Sequence, residues 1–389
     1  MRQGWGLWLA MVLVVFLGAP ANASTNGIKT RKRGIVRLQS QNPFYTAICT
    51  SAVVGVRPLV LLTAFHCLGD VETGAATAFI EEEEKDLERS PAQYRSTRVV
   101  LPAQVRELEA FRSVDSVIAD YKRDSSSAAD PHMAASALRR HYARYNYARD
   151  QLNRVVSQFQ ASDLALLVFD NYDGFLNHRH VEDLVARGAL VPIARRAAEE
   201  GDRVAFGGFG EAAGVSPSDK QMHGFTNYVQ KSENGFVATY GMVPEIFRDA
   251  SDTPSLVSPG EMGAILPGDS GGPLMSDYGV VGVASWYKRV PMESDEEIAF
   301  GWPRQPDGYY LYMTSRYSSL HSDFATNMLE TAAAEQKLSL VFSDREIPQL
   351  HDVPKWEGVG APLTSRTAKL LQDAERYHRQ YNPAVNPIE

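Results

Sequence analysis

The stretch Pro267-Gly268-Asp269-Ser270-Gly271-Gly272-Pro273-Leu274 sets a serine between an acidic residue and two glycines, and a strand-like apolar run follows it. Glycine adopts backbone angles that other residues avoid, so the chain can turn tightly here and point consecutive N–H groups into one small space. A nest of this kind can hold the oxyanion that forms when a serine hydroxyl attacks a carbonyl carbon. The stretch therefore predicts that Ser270 is a nucleophile.

Two segments upstream supply the other groups that such a serine needs. Leu61–Cys67 contains His66, and Ser162–Leu167 contains Asp163. His66 can take the proton of the serine hydroxyl and return it to the leaving amine, while a buried Asp163 would accept the other imidazole N–H. Taken singly, each residue has an ordinary structural explanation. Their order along the chain favours a catalytic triad of His66, Asp163 and Ser270.

These motifs resemble the signatures of the chymotrypsin/trypsin family of serine proteases, peptidase family S1, over roughly residues 24–330. Thr63–Cys67 resembles the family's Thr-Ala-Ala-His-Cys segment, with a phenylalanine in the third position. Asp163–Leu167 resembles Asp-Ile-Ala-Leu-Leu, and Gly268–Pro273 is the complete Gly-Asp-Ser-Gly-Gly-Pro box. Shorter matches follow the family's order at Gly208–Gly210, Ser285–Tyr287 and Gly308–Tyr310. Insertions between the motifs indicate a divergent member.

The resemblance implies a chymotrypsin-like fold, dominated by β structure, with two six-stranded antiparallel β-barrels. Short aliphatic and β-branched runs broken by glycine and proline agree with such a fold. The implied organisation is an N-terminal barrel over 24–189 with a helical insertion at about 102–160, then a C-terminal barrel and C-terminal helix over 190–329. Residues 330–389 form a C-terminal extension, expected to pack on the back of the barrels.

The segment 102–160 departs from the strand pattern. Asp130 and Pro131 are typical of a helix N-cap and its first position, and apolar residues then recur near helical spacing. We therefore expect a largely helical insertion packed on the outside of the first barrel. Its arginines are expected to form a solvated face, with partner docking or anion binding as the alternative. They are Arg139, Arg140, Arg144, Arg149 and Arg154.

The resemblance also assigns roles around the triad. The backbone N–H groups of Gly268 and Ser270 would form the oxyanion hole. Ser285 would support Asp163 from the second barrel, as the equivalent serine does in the family. In many family members a freed N-terminus pairs with the aspartate beside the nucleophile, which here is Asp269.

The substrate pocket is expected beside the strand that follows the serine box. By the resemblance, Ala264 lies at the base of the pocket, where trypsins place an aspartate. Because alanine carries no charge, we expect small or medium apolar side chains at the P1 position of the substrate. The implied substrate-binding set is Ala264, Ser285, Trp286, Tyr287 and Gly308.

The first residues predict export. Residues 1–23 combine a positive start, a short apolar run and an Ala-x-Ala ending, the pattern of a signal peptide cleaved after Ala23, with a retained anchor as the alternative. We expect a secreted protein, extracellular or periplasmic, with no stable membrane anchor after cleavage. Export and the bridge that the family has at this place predict a disulfide between Cys49 and Cys67. So few cysteines favour a bacterial enzyme.

Two starts of the mature chain remain open. Ser24-Thr25-Asn26-Gly27 resembles the Ile-Val-Asn-Gly start of the family, and signal cleavage alone would expose it. Cleavage after Arg33 would instead expose Gly34 and leave a short segment before Cys49.

Charge and composition exclude other classes. A formal net charge of −8 argues against a nucleic-acid partner, since phosphate contacts need a basic face. We expect no cofactor and no metal: His178 and His180 lack acidic or cysteine partners at a metal spacing. Glu81–Glu84 is interpreted as a solvated acidic loop, with a calcium site as the alternative.

The sequence therefore predicts a secreted serine endopeptidase that cleaves protein or peptide substrates through an acyl-enzyme intermediate. The alternative is a protease-like binding protein, in which Tyr287, the long loops or the extension would occlude the substrate cleft. The complete triad favours the enzyme.

Overall fold

The fold is taken from a computed structural model of the whole chain. It describes residues 28–29, 34–42, 44–56, 58–68, 76–80, 92–96, 98–103, 105, 108–126, 131–158, 163–169, 190–210, 222–233, 235–242, 263–291 and 310–345. Several predicted features lie outside these residues. They are the signal peptide, the start at Ser24, Glu81–Glu84, His178, His180, Gly308 and the part of the extension after 345.

Strands dominate the described chain, together with three α-helices and one short 3-10 helix. The strands are β1 (Ile28–Lys29), β2 (Ile35–Asn42), β3 (Tyr45–Val56), β4 (Leu59–Thr63), β5 (Ala76–Ile80), β6 (Ala92–Arg95), β7 (Arg98–Val100), β8 (Ala165–Phe169), β9 (Ile193–Ala194), β10 (Arg203–Gly208), β11 (His223–Glu233), β12 (Phe236–Met242), β13 (Pro273–Ser276), β14 (Gly279–Pro291), β15 (Tyr310–Ser319) and β16 (Phe342–Ser343). The α-helices are α1 (Glu109–Ser126), α2 (Pro131–Gln158) and α3 (Asp323–Ala334).

Six strands of the C-terminal half form a closed antiparallel barrel. Its order is β13-β10-β11-β12-β15-β14, and β14 pairs with β13 to close it. Closure leaves no unpaired edge among these strands. Aromatic rings fill the interior: Phe206 lies 5.1 Å from Phe225 and 5.9 Å from Tyr317, measured between ring centroids. The serine box lies just before β13, so this barrel carries the predicted nucleophile.

The N-terminal half forms a second antiparallel sheet with the order β6-β5-β2-β3-β4-β8-β7. Every residue of β4 and β8 is buried, which agrees with their uninterrupted apolar sequences. Strand pairing does not close this sheet within the described residues, although its two end strands follow one another in the chain with only Ser96 and Thr97 between them. The structure thus gives a mostly β chain with one closed barrel, and the second predicted barrel stays a prediction.

Helices α1 and α2 lie in the stretch 102–160 and pack against the N-terminal sheet. The Phe44 ring lies 5.0 Å from Tyr121 of α1 and 4.8 Å from Tyr145 of α2. Phe65 stacks on Phe111 of α1 at 5.9 Å. The helices therefore cover the end of the sheet at which His66 lies. None of the helices in the described ranges is long and apolar enough to cross a membrane.

The C-terminal segment joins the two sheets. Helix α3 begins after Ser322, whose hydroxyl accepts a hydrogen bond from the N–H of Ala325 at 3.2 Å, and it continues past residue 329, where the second barrel was predicted to end. Val341 then donates to the carbonyl of Val54 in β3 at 3.0 Å and accepts from Ile193 in β9 at 2.8 Å. The beginning of the predicted extension is therefore part of the core.

Gly55 provides a test of this packing. A methyl group at Gly55 would lie 2.8 Å from the carbonyl oxygen of Ser339, so the C-terminal segment would have to move. We expect Gly55→Ala to lower the free energy of unfolding by about 1–3 kcal/mol in a urea titration. Gly207→Ala is the control, because its methyl would meet only the flexible ends of two side chains, Ile35 at 3.0 Å and Met222 at 3.5 Å. An equal loss in both variants would contradict the contact.

Candidate active site

His66 lies in a short 3-10 helix, Phe65–Cys67, directly after β4; this helix is called the histidine turn. Cys67 at its end forms a disulfide with Cys49 of β3, with the two Cα atoms 6.1 Å apart. The predicted disulfide is thereby confirmed. It fixes the turn to the neighbouring strand, and a loop of this length is stabilised by about 3 kcal/mol when its bridge is unstrained.

Asp163 is 3% exposed and lies directly before β8. Ala165, the first residue of β8, is the register partner of Thr63, the last residue of β4. Asp163 and His66 therefore lie at the same end of these two paired strands. The Asp163 carboxylate accepts the backbone N–H of His66 at 3.0 Å, and its Oδ2 lies 2.8 Å from the imidazole Nδ1. The hydroxyl of Ser285 in β14 donates to the same Oδ2.

The protonation state of Asp163 follows from these contacts. Burial alone raises the pKa of Asp163, but the charge of His66 and the hydrogen bonds from His66 and Ser285 outweigh burial and hold that pKa below its ordinary value. An ionised carboxylate only accepts hydrogen bonds, so Nδ1 of His66 must carry a proton. In a neutral imidazole the other nitrogen, Nε2, is then the free base.

Ser270 lies in the turn Pro267–Gly272, called the serine loop, where Gly268 and Gly271 have φ angles of 95° and 82°. These angles favour glycine. A methyl group at Gly271 would lie 2.1 Å from the Thr63 hydroxyl and 3.0 Å from the backbone nitrogen of Ala64. The residue after Ser270 thus packs directly against the chain that leads into the histidine turn.

Backbone donors in the serine loop fall into two groups. The N–H groups of Asp269, Gly271 and Gly272 donate to backbone carbonyls at 2.7–3.0 Å. Those of Gly268 and Ser270 have no acceptor within the part of the chain that the structure describes. Among these residues, the two N–H groups predicted for the oxyanion hole are therefore not used in the internal hydrogen bonds of the loop.

Thr50 joins the serine loop to the N-terminal sheet, a role that the sequence did not indicate. It is fully buried in β3, beside Cys49. Its N–H donates to the carbonyl of Ser270 at 2.8 Å, and its hydroxyl donates to the carbonyl of Gly268 at 3.0 Å. The same hydroxyl accepts from the N–H of Phe209 at 2.9 Å. A single threonine thus binds both residues of the predicted oxyanion hole.

Asp269 is fully buried, and its carboxylate accepts only backbone donors among the described residues. Oδ1 accepts from Gly210 at 2.9 Å and Oδ2 from Leu266 at 3.0 Å. Burial raises the pKa of Asp269 well above its ordinary value, because these two hydrogen bonds offset burial only in part. No described residue brings a positive charge to this carboxylate. Its predicted partner, the amino group of Ser24, lies outside the described residues.

The pairing of β14 with β15 shows which residues lie opposite the predicted substrate wall. Trp286 pairs with Arg316 and Tyr287 pairs with Ser315, so the strand opposite the predicted substrate wall is not the Gly308–Tyr310 stretch. Tyr310 pairs instead with Pro291, further along β14. The sequence did not identify these partners, because strand register depends on pairing and on irregularities such as those between Ala284 and Trp286 and between Val290 and Pro291. Gly308 lies outside the described residues, so its role in substrate binding stays a prediction.

Ala264 and its surroundings form the predicted base of the pocket. Ala264 is fully buried, and a methyl group added at Gly241 of β12 would lie 2.4 Å from its Cβ. The next residue, Ile265, donates its N–H to the hydroxyl of Ser315 at 3.1 Å. Ser315 therefore lies next to the predicted pocket base, which makes it a further candidate for substrate binding.

Arg149 was predicted to lie on a solvated face of α2, and its contacts show that this prediction is wrong. Its guanidinium donates to the carbonyl of His66 at 2.6 Å, to the carbonyl of Leu68 at 3.1 Å and to the hydroxyl of Tyr145 at 3.2 Å. Arg144 of the same helix does lie on the exposed face and pairs with Asp120 at 3.2 Å. The sequence pattern places both arginines on one helix without distinguishing their surroundings.

One group of potential metal ligands occurs among the described residues: Cys49, His66 and Cys67. The two sulfur atoms are bonded to each other, so they are not the thiolates that a metal ion requires. This group therefore does not form a metal site in the oxidised protein.

No protein-family model and no curated protein matches this chain. Function must therefore be argued from the contacts of the site itself. Those contacts bring His66, Asp163 and Ser285 together and pack the serine loop against the chain that precedes the histidine turn.

Thr50→Val tests the junction. Valine keeps the shape of threonine but leaves the N–H of Phe209 and the carbonyl of Gly268 without their buried partner. We expect a loss of about 1–3 kcal/mol in the free energy of unfolding, measured by urea denaturation. Ser51→Ala, which removes the next hydroxyl and one longer hydrogen bond of 3.3 Å, should cost less. A Thr50→Val protein as stable as the wild type would show that these hydrogen bonds contribute nothing.

Proposed function

We propose that this protein is a serine endopeptidase in which Ser270 is the nucleophile, His66 the general base and acid, and Asp163 the residue that orients His66. The observation that carries the proposal is the double contact of Asp163 with His66, at 2.8 Å to Nδ1 and 3.0 Å to the backbone N–H. This contact leaves Nε2 as the base. Gly271, the residue after Ser270, packs against Thr63 and Ala64, which lead into the histidine turn.

In the proposed reaction His66 removes the proton of the Ser270 hydroxyl as its oxygen attacks the peptide carbonyl carbon. The carbonyl oxygen becomes an oxyanion, which the N–H groups of Gly268 and Ser270 bind. His66 then gives the proton to the leaving amine, and an acyl-enzyme ester remains on Ser270. Water repeats the sequence with His66 as base, which releases the acid and restores the serine.

The proposal includes a two-barrel architecture with the site between the halves. The consecutive strands β6 and β7 pair with β5 and β8, respectively, so one bent strand would complete a barrel in the N-terminal half. His66 and Asp163 would then come from the first barrel, and Ser270 and Ser285 from the second. The Cys49–Cys67 disulfide supports an oxidising compartment, consistent with the proposed secretion.

Ser270→Ala tests the proposal. We expect a fluorophosphonate probe to label the wild-type protein and not the variant, and peptidase activity to fall by at least about 10⁴-fold, because the acyl-forming oxygen is lost. Ser276→Ala, a hydroxyl variant in β13 of the same barrel, should keep labelling and activity. Circular dichroism should show that both variants fold. An unlabelled, inactive wild-type protein would reject the enzyme and favour the protease-like binding protein.

A second prediction concerns activation. Ile28 of β1 pairs with Gly224, which pairs in turn with Gly207, so the entry segment is docked on the second barrel only two strands from β10. The β10 residue Gly208 lies against the Asp269 carboxylate. We therefore propose that a mature chain beginning at Ser24 brings a positive amino group to this buried carboxylate.

The measurement is N-terminal sequencing of the active protein. We expect full activity in protein that begins at Ser24, with no second cleavage required. A cut after Arg33 would remove β1, so protein beginning at Gly34 should lose activity. Activity that appears only after cleavage at Arg33 would overturn the prediction.

A further inference from the structure

Arg149 contacts the candidate active site from outside both sheets. It lies on α2 and is half-buried, and its guanidinium donates to the carbonyl groups of His66 and Leu68 at 2.6 and 3.1 Å. The hydroxyl of Tyr145, one helical turn earlier, accepts a third hydrogen bond at 3.2 Å. The Tyr145 ring is itself buried and stacked on Phe44. The guanidinium is therefore held from its own helix while it binds the histidine turn.

These two carbonyl groups, of His66 in the turn and of Leu68 directly after it, have no backbone donor in the turn. A short helix cannot bond its last carbonyl groups internally, so a side chain or water must supply donors. The other carbonyl groups of the turn already have donors: the N–H of Cys67 for Ala64, the N–H of Leu68 for Phe65, and the hydroxyl of Ser40 for Cys67. Arg149 thus completes the hydrogen bonding of the histidine turn.

His66 is consequently held at three points. Asp163 binds its imidazole Nδ1 and its backbone N–H, and Arg149 binds its carbonyl oxygen. Hydrogen bonds from a charged guanidinium are stronger than those between neutral groups, and the planar fork lets one side chain bind both carbonyl groups. The two peptide planes that flank His66 are therefore each fixed by a hydrogen bond, and with the contact at Nδ1 they set the direction of Nε2.

We propose that Arg149 is a positioning residue for His66, through which helix α2 becomes part of the catalytic apparatus. The inference rests on the proposed function. Without the guanidinium, the two carbonyl groups would have to turn toward water, and the histidine turn would shift with them. A displacement of about 1 Å at a reacting group can cost roughly 100-fold in rate, so a support this close should act on turnover.

Kinetics of three variants test the proposal. We expect Arg149→Ala to lower kcat by about 10- to 100-fold with KM within about twofold of the wild type, because the substrate cleft is untouched. Arg144→Ala, on the exposed side of α2, should leave both constants unchanged. Arg149→Lys keeps the charge but not the fork and should lie between the two. Guanidinium ion added at a low, non-denaturing concentration should restore part of the kcat of Arg149→Ala.

A measurement without turnover separates this inference from the proposed function. In Ser270→Ala protein, the Nδ1 proton of His66 should give a downfield imidazole resonance in the NMR spectrum. Adding Arg149→Ala should broaden or shift that resonance, whereas adding Arg144→Ala should not. Failure of the wild-type protein to react with the fluorophosphonate would reject the peptidase while leaving the NMR test intact.

The positioning role of Arg149 can fail even when the protein is an active peptidase. A reactive wild-type enzyme, together with an Arg149→Ala variant of unchanged kcat and unchanged resonance, would overturn the positioning role. If Arg149→Ala does not fold, Arg149→Lys decides by the same two readouts, and wild-type values in both would overturn the role.

Discussion

The structure depends on the hydrogen bonding of one buried residue, Thr50. Its backbone N–H and its hydroxyl bind the carbonyl groups of Ser270 and Gly268, and its own carbonyl accepts from the hydroxyl of Thr63 at 2.9 Å. Because Thr63 ends the strand before the histidine turn, and Cys49 beside Thr50 is bonded to that turn, both sides of the candidate site are built on the same two residues of β3. Polar groups buried this deeply are costly unless paired, so the pairing fixes how the two sheets meet.

The same dependence holds for the charge of the site. The Asp163 carboxylate receives hydrogen bonds from His66 in the N-terminal half and from Ser285 in the C-terminal barrel. Neither half alone satisfies this buried group. The hydrogen bond from Ser285 adds to the contacts with His66 that hold the pKa of Asp163 below its ordinary value despite burial, so docking of the two sheets supports the ionised state. The pairing of the two halves is therefore a condition for the proposed chemistry.

Contacts that the family resemblance implies could be predicted from the sequence, such as those of Asp163 with His66 and Ser285, whereas contacts particular to this chain could not. The cysteine pair flanking His66 gave the disulfide, and the proline at 131 marked the observed start of α2. The contacts of Thr50 and Arg149 could not be predicted, because a hydroxyl or guanidinium group that binds distant backbone carbonyl groups leaves no periodic pattern in the sequence. The partner of Trp286 could not be predicted, because strand register depends on irregular pairing along β14 and β15. Closure of the N-terminal sheet likewise depends on geometry that short apolar runs do not encode.

The junction made by residues 335–345 has a consequence for the order of folding. A ribosome makes the chain from its N-terminus, so every described strand of the two sheets except β16 is synthesised before Val341. Until then the carbonyl of Val54 and the N–H of Ile193 lack the partner that they have in the finished protein. Strand β9 likewise lacks its parallel neighbour β16 until then. The seam between the sheets therefore cannot be completed until residues 335–345 have been synthesised.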